Sequence, residues 1–215
     1  MRRRQVVLNQ DQGGVAGVSE IEEMQAAWER IARWLTANAP STAEALRGPA
    51  TDEDIAGLRD ALGFEVPDVL EALLRTNNGS GAKDTTQTLP NGRVVPVNHV
   101  DSAIFPFSKV LLGCEEIVTT RARLLDMAQE AEGYWQPHLI PVIWDFEGAY
   151  YGYALDASGS SGFRVLRYAE VSPNETDPTT SLGELLRSFA DGMDRGNWDV
   201  LRPRVVNGSL RWREE

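Results

Sequence analysis

The stretch TDEDIAGLRDALGFEVPDVLEALLRTNNG, residues 51–79, decides how this chain folds. Thr51 followed by Asp54 is a variant of the capping box, in which a hydroxyl and a carboxylate satisfy the first free N–H groups of a helix. Ile55, Leu58 and Leu62 then recur at helical spacing, and Gly63 offers the left-handed position at which helices commonly end. Pro67 suits the first turn of a new helix, where a missing N–H costs nothing. Leu70, Leu73 and Leu74 form its apolar stripe, and Asn77-Asn78-Gly79 stops it. These residues predict a packed pair of helices and carry no chemistry of their own.

Outward from this pair, residues 1–18 are polar with several glycines and read as a flexible tail. Ser19 with Glu22 predicts the start of a helix that runs to about Asn38, with Ile21, Met24, Trp28, Ile31 and Trp34-Leu35 on one side. Trp28 and Trp34 read as core residues. On the other side of the pair, 79–91 reads as a loop. Arg93 to Val97 and Ile104 to Phe107 read as short strands, the second at an edge because Pro106 interrupts it. Cys114 to Glu132 reads as a helix, and Leu139–Trp144, Ala149–Leu155 and Phe163–Tyr168 as three strands. Ser181 opens a last amphipathic helix. Beyond it, an Arg-rich segment, 193–215, is poised to close as a hairpin around Asn207-Gly208. The element order predicts one α+β domain over 19–192: a mostly antiparallel sheet with helices packed largely on one face.

Composition narrows the function. The 215 residues are 42% hydrophobic and 25% charged, ordinary values for a globular chain. No apolar run is long enough to span a membrane. The basic start, Met1-Arg2-Arg3-Arg4, has no apolar segment behind it, which argues against a secretory signal. A single cysteine, Cys114, excludes an internal disulfide framework and suits the reducing cytoplasm. Residues 5–186 hold 12 Lys and Arg against 27 Asp and Glu. A body this acidic repels nucleic-acid phosphates, and it speeds encounter with a basic protein. Plain solubility is the other use of such a charge.

No constellation for catalysis emerges. Cys114 with His99 or His138 is the obvious nucleophile pair, but Glu115 and Glu116 raise a thiol pKa rather than lower it. Two histidines and one cysteine match no zinc spacing, and no phosphate-binding glycine loop is present. Asp145 and Glu147, two apart in a hairpin, lack the opposing carboxylate a glycosidase needs. No catalytic residue, metal site or cofactor is assigned. The aromatic and acidic run WDFEGAYYGY, 144–153, is the best recognition candidate. Strand alternation places Tyr151 and Tyr153 on one face and Tyr150 on the other, so part of the run belongs to the core. Trp and Tyr also anchor interfaces, and adjacent carboxylates suit an Arg- or Lys-rich partner. Trp135, Trp144, Asp145, Glu147 and Tyr150 are therefore the candidate partner-binding residues.

Trp34-Leu35, Ile55, Leu58, Leu62-Gly63, Val66-Pro67, Leu70, Leu73-Leu74, Asn78-Gly79, Leu139-Ile140-Pro141-Val142, Gly152, Leu155-Asp156, Val165 and Leu185-Leu186 together resemble the SUKH superfamily. The chain departs from that pattern in the long segment between Asn78 and Trp135, and in Trp144-Asp145-Phe146-Glu147-Gly148 where a Gly/Asp loop is expected. The superfamily holds bacterial toxin-immunity proteins and a fungal regulator of cell-wall glucan synthesis. The resemblance implies an α+β fold and a non-catalytic immunity-type protein that binds and neutralises a toxin domain; the acidic body adds the expectation of a basic, nuclease-like toxin met by occlusion, and the single cysteine that of the cytoplasm. The alternatives are a regulatory or scaffold module resembling the fungal regulator, and a hydrolase using Asp145 and Glu147 or Cys114.

Overall fold

In the computed structural model, the described residues are 13–81, 85–88, 90–92, 94–97, 100–130, 134–145, 151–159, 163–169 and 180–214. Six α-helices are described: α1 (Gly13–Asn38), α2 (Pro40–Ala43), α3 (Asp52–Leu62), α4 (Asp68–Thr76), α5 (Cys114–Glu130) and α6 (Leu182–Arg195). The strands are β1 (Thr85–Thr88), β2 (Val94–Val97), β3 (Lys109–Leu111), β4 (Leu139–Asp145), β5 (Tyr151–Asp156), β6 (Arg164–Ala169), β7 (Leu201–Val206) and β8 (Ser209–Glu214). They form a central sheet in the order β3-β4-β5-β6 and two ribbons, β1-β2 and β7-β8, with every described pairing antiparallel. This is the α+β class predicted from the element order.

The helical pair forms for the local reasons read above. Thr51 Oγ1 accepts from the Asp54 N–H at 3.1 Å and Asp54 Oδ2 accepts from the Thr51 N–H at 2.8 Å, closing the capping box. These bonds to the ionised form hold the Asp54 carboxyl below its ordinary pKa. Gly63 ends α3 at φ 75°, a conformation that costs any residue with a Cβ. Pro67 stands one residue before α4 rather than inside its first turn. Ser181 and Glu184 repeat the capping box on α6. Ile55, Leu58, Leu70, Leu73 and Leu74 are buried in one core with Ile31 and Leu35 of α1 and Leu186 and Phe189 of α6. Each such side chain contributes about 2 kcal/mol on burial.

Three boundaries differ from the sequence reading. α1 begins at Gly13, so Ser19 and Glu22, predicted to cap a later start, lie within the helix. The predicted loop 79–91 contains β1, a strand of Thr-Thr-Gln-Thr that offers no apolar alternation to read. The strand expected at Ile104–Phe107 lies instead at Lys109–Leu111. Phe105 keeps one isolated pairing with Lys109, and a turn occupies the residues between.

The Arg-rich segment is a hairpin, as predicted, with Asn207 and Gly208 both at positive φ in its turn. It docks on the body. Gly208 O accepts from the Ser41 N–H at 2.9 Å, Thr42 Oγ1 from the Leu210 N–H at 2.9 Å, and Ile104 O from Trp212 Nε1 at 3.1 Å. The Ser209 hydroxyl donates to buried Asp101. Among the described residues no helix is long and apolar enough to cross a membrane.

Candidate functional site

The site is built at the end of the central sheet, beginning with the turn that precedes β3. Phe105 and Lys109 exchange hydrogen bonds, the Phe105 N–H reaching Lys109 O at 3.0 Å and the Lys109 N–H reaching Phe105 O at 3.3 Å. Pro106, Phe107 and Ser108 close the loop between them. Phe107 and Ser108 lie at φ 59° and 54°, in the left-handed region that costs each non-glycine residue about 1 kcal/mol or more. Phe107 gains no burial in return: it is 53% exposed. The turn instead places its ring over the Lys109 ammonium, 5.0 Å from the centroid.

Lys109, only 8% exposed, lines a cavity of about 260 Å³ together with Phe107, Asp145, Tyr151, Gly152, Arg167 and Tyr168. Sheet register explains the assembly. Lys109 stands opposite Asp145 on β4, and Trp144 stands opposite Gly152, which brings Tyr151 beside Asp145. Arg167 of β6 pairs with Tyr153, two residues along the same face. Burial pushes the Lys109 ammonium down to about 8; the Asp145 carboxylate opposes that shift and the Arg167 guanidinium adds to it. Among the described residues, no carboxylate lies within ion-pair distance of the Lys109 ammonium.

The opposite face of the same strands is dry. Trp144 stacks on Tyr168 at 5.5 Å across Gly152, where a Cβ would stand 2.2 Å from Trp144 Cε3. Trp135 meets both rings edge-on, at 5.8 and 5.1 Å. Trp135 and Trp144 are 4% and 2% exposed, so these two candidate contact residues are core side chains beneath the site. Asp145 does reach the cavity, half-buried at its wall. Glu147 and Tyr150 lie outside the described residues. Tyr153 turns inward against Phe189 of α6, whereas Tyr151 stays 39% exposed.

Lys109, Phe107 and Arg167 were missed by the sequence reading, although one signal pointed to the first. The chain has only two lysines, Lys83 and Lys109, among 21 basic residues, and the second sits in an otherwise apolar strand.

Among the described residues the nucleophile pair does not take shape. Cys114 is buried, and burial pushes its thiol up to about 11, with the Asp54 and Glu116 carboxylates adding to the effect. Its N–H donates to Asn78 Oδ1 at 2.8 Å, joining the start of α5 to the end of the helical pair. His138 Nε2 lies 3.5 Å from Asp156, while His99 is outside the described residues. Among the described residues no group of His, Cys, Asp and Glu is arranged to hold a metal ion.

No curated protein matches the chain. The model of the SMI1/KNR4 family (SUKH-1) matches residues 49–195, from just before the Thr51 cap to the last residue of α6. With two thirds of its length under that match, including the helical pair, the central sheet and the site at its end, the chain belongs to the SMI1/KNR4 (SUKH-1) family.

Proposed function

We propose that this chain is a non-catalytic immunity-type protein that binds a basic, nuclease-like toxin domain and neutralises it by occlusion. The observation that carries the reading is the charge imbalance within a SUKH-1 fold: 12 cations against 27 carboxylates in residues 5–186. Such a field favours a cationic partner and accelerates encounter with it. The buried, protonated thiol of Cys114 supports a role without nucleophilic catalysis.

The contact surface we propose is the open end of the central sheet. Asp145 and the exposed Phe107 and Tyr151 belong to it, with Glu147 and Tyr150 adjoining in sequence. Trp135 and Trp144 act there from beneath, fixing the strands rather than touching a partner.

The experiment is co-purification from the native host, followed by binding kinetics over a salt series. A single tight partner is expected, with an on-rate that falls as the Debye length shrinks to about 8 Å and below. Asp145→Asn with Glu147→Gln should slow association further. Several weak partners in place of one tight one would favour the regulatory or scaffold role. Kinetics that ignore both salt and the double substitution would reduce the acidity to a solubility device and move the interface elsewhere.

A further inference from the structure

We propose that the cavity at the end of the central sheet is a carboxylate-binding site, taking a monoanion with a flat apolar body about the size of one amino-acid residue. The proposal is independent of which protein this chain binds.

Three observations carry it. The cavity holds an ammonium, that of Lys109, which is more than nine-tenths buried and has no ion-pair partner among the described residues. A buried unpaired cation is costly, and a ligand carboxylate removes that cost by supplying the missing charge and hydrogen-bond acceptors. Arg167 adds a second cation to the wall and Asp145 one anion, so the described lining carries one net positive charge and matches a monoanion. The aromatic rings on this face are those of Phe107 and Tyr151, and a volume of about 260 Å³ is below that of a nucleotide pocket. The backbone supports the same reading. Two consecutive non-glycine residues are held in the left-handed region to set Phe107 at the cavity mouth, and such strain persists where the surrounding structure enforces it for use.

The carboxylate has two possible sources, a free small acid or the C-terminus of a polypeptide, and one experiment separates them. With lysine labelled by ¹³C at Cε, the whole protein gives two lysine resonances, because only Lys83 and Lys109 exist; Lys83→Arg assigns them. The pH titration of the Lys109 resonance is followed while 3-phenylpropionate, N-acetylphenylalanine or the neutral N-acetylphenylalanine amide is added. Both acids should raise the Lys109 pKa by about one unit, since an anion beside the ammonium favours its charged form. The rise should saturate in the millimolar range, and Arg167→Gln should weaken it several-fold. Tighter binding of N-acetylphenylalanine than of 3-phenylpropionate identifies a chain terminus; equal binding identifies a free acid. No shift with either acid, or an equal shift with the neutral amide, overturns the proposal.

Discussion

The two faces of the central sheet, at the same end and only one residue apart in sequence, are built on opposite principles. Trp144, Gly152 and Tyr168 point to one face, where the two rings stack over the missing side chain of the glycine and Trp135 closes the cluster. Asp145, Tyr151 and Arg167, each the immediate neighbour of one of those three, point to the other, where a lysine is buried beside open space. The first face consumes its aromatic surface in packing; the second keeps charge and exposed aromatic surface at the cost of burying an ammonium. A strand that alternates in this way supports a site with its own core, so rigidity beneath and chemistry above come from the same short segments.

The largest test of this contrast is on the dry face. Trp144→Ala should destabilise the protein by about 3–5 kcal/mol in chemical denaturation, through a cavity shared with Trp135 and Tyr168. Trp144→Phe should cost clearly less. It keeps an aromatic ring and removes an indole N–H that is buried without a hydrogen-bond partner among the described residues. If Trp144→Ala were neutral, the cluster would not be the support of the site.

On the wet face the sign reverses. Lys109→Met should stabilise the protein by about 1–2 kcal/mol at neutral pH, because a methionine of similar length fills the place of a buried charge. The pH dependence follows from a folded-state pKa of about 8 against an ordinary 10.5. Between these values the unfolded chain binds more protons at this site, so stability rises with pH in the wild type. Below about 8 the lysine is charged in both states and the full cost of burying it remains. The gap between Lys109→Met and wild type should therefore be widest below pH 8 and narrow towards 10.5. A gap constant across that window would mean that the ammonium is not desolvated by the fold.

Gly63→Val should cost about 1–2 kcal/mol, since φ 75° is strained for a β-branched residue even though no neighbouring atom is crowded. The smallest expected effect is that of Asp145→Asn on stability, within about 0.5 kcal/mol for a half-exposed wall residue. Under the proposed function its effect is expected in partner binding instead. A large loss of stability would show that Asp145 serves the sheet before it serves recognition.

Much of this was legible in the chain because it is local. The Thr51–Asp54 box, the start of a helix at Ser181, the Gly63 stop and the Asn207-Gly208 turn are each made by residues within a few positions of one another. The regions that were not legible are those where distant groups overrule local preference. A Pro-Phe-Ser turn with two residues at positive φ has no short-range advantage, so Ile104–Phe107 read as a strand and Lys109 went unremarked. The capping signal at Ser19 was outweighed by a helix that begins at Gly13.

By itself the sequence determined the helical pair, the α+β class, the acidic body and the family to which they belong, since periodicity, caps and charge are properties of the chain alone. Only the tertiary structure decided that Trp135 and Trp144 are core, that Asp145 is wall, and that one of two lysines lies buried at a cavity. Those outcomes rest on which strand lies opposite which residue, and a register between segments 36 positions apart, as for Lys109 and Asp145, is set by the packing of the whole domain rather than by either segment.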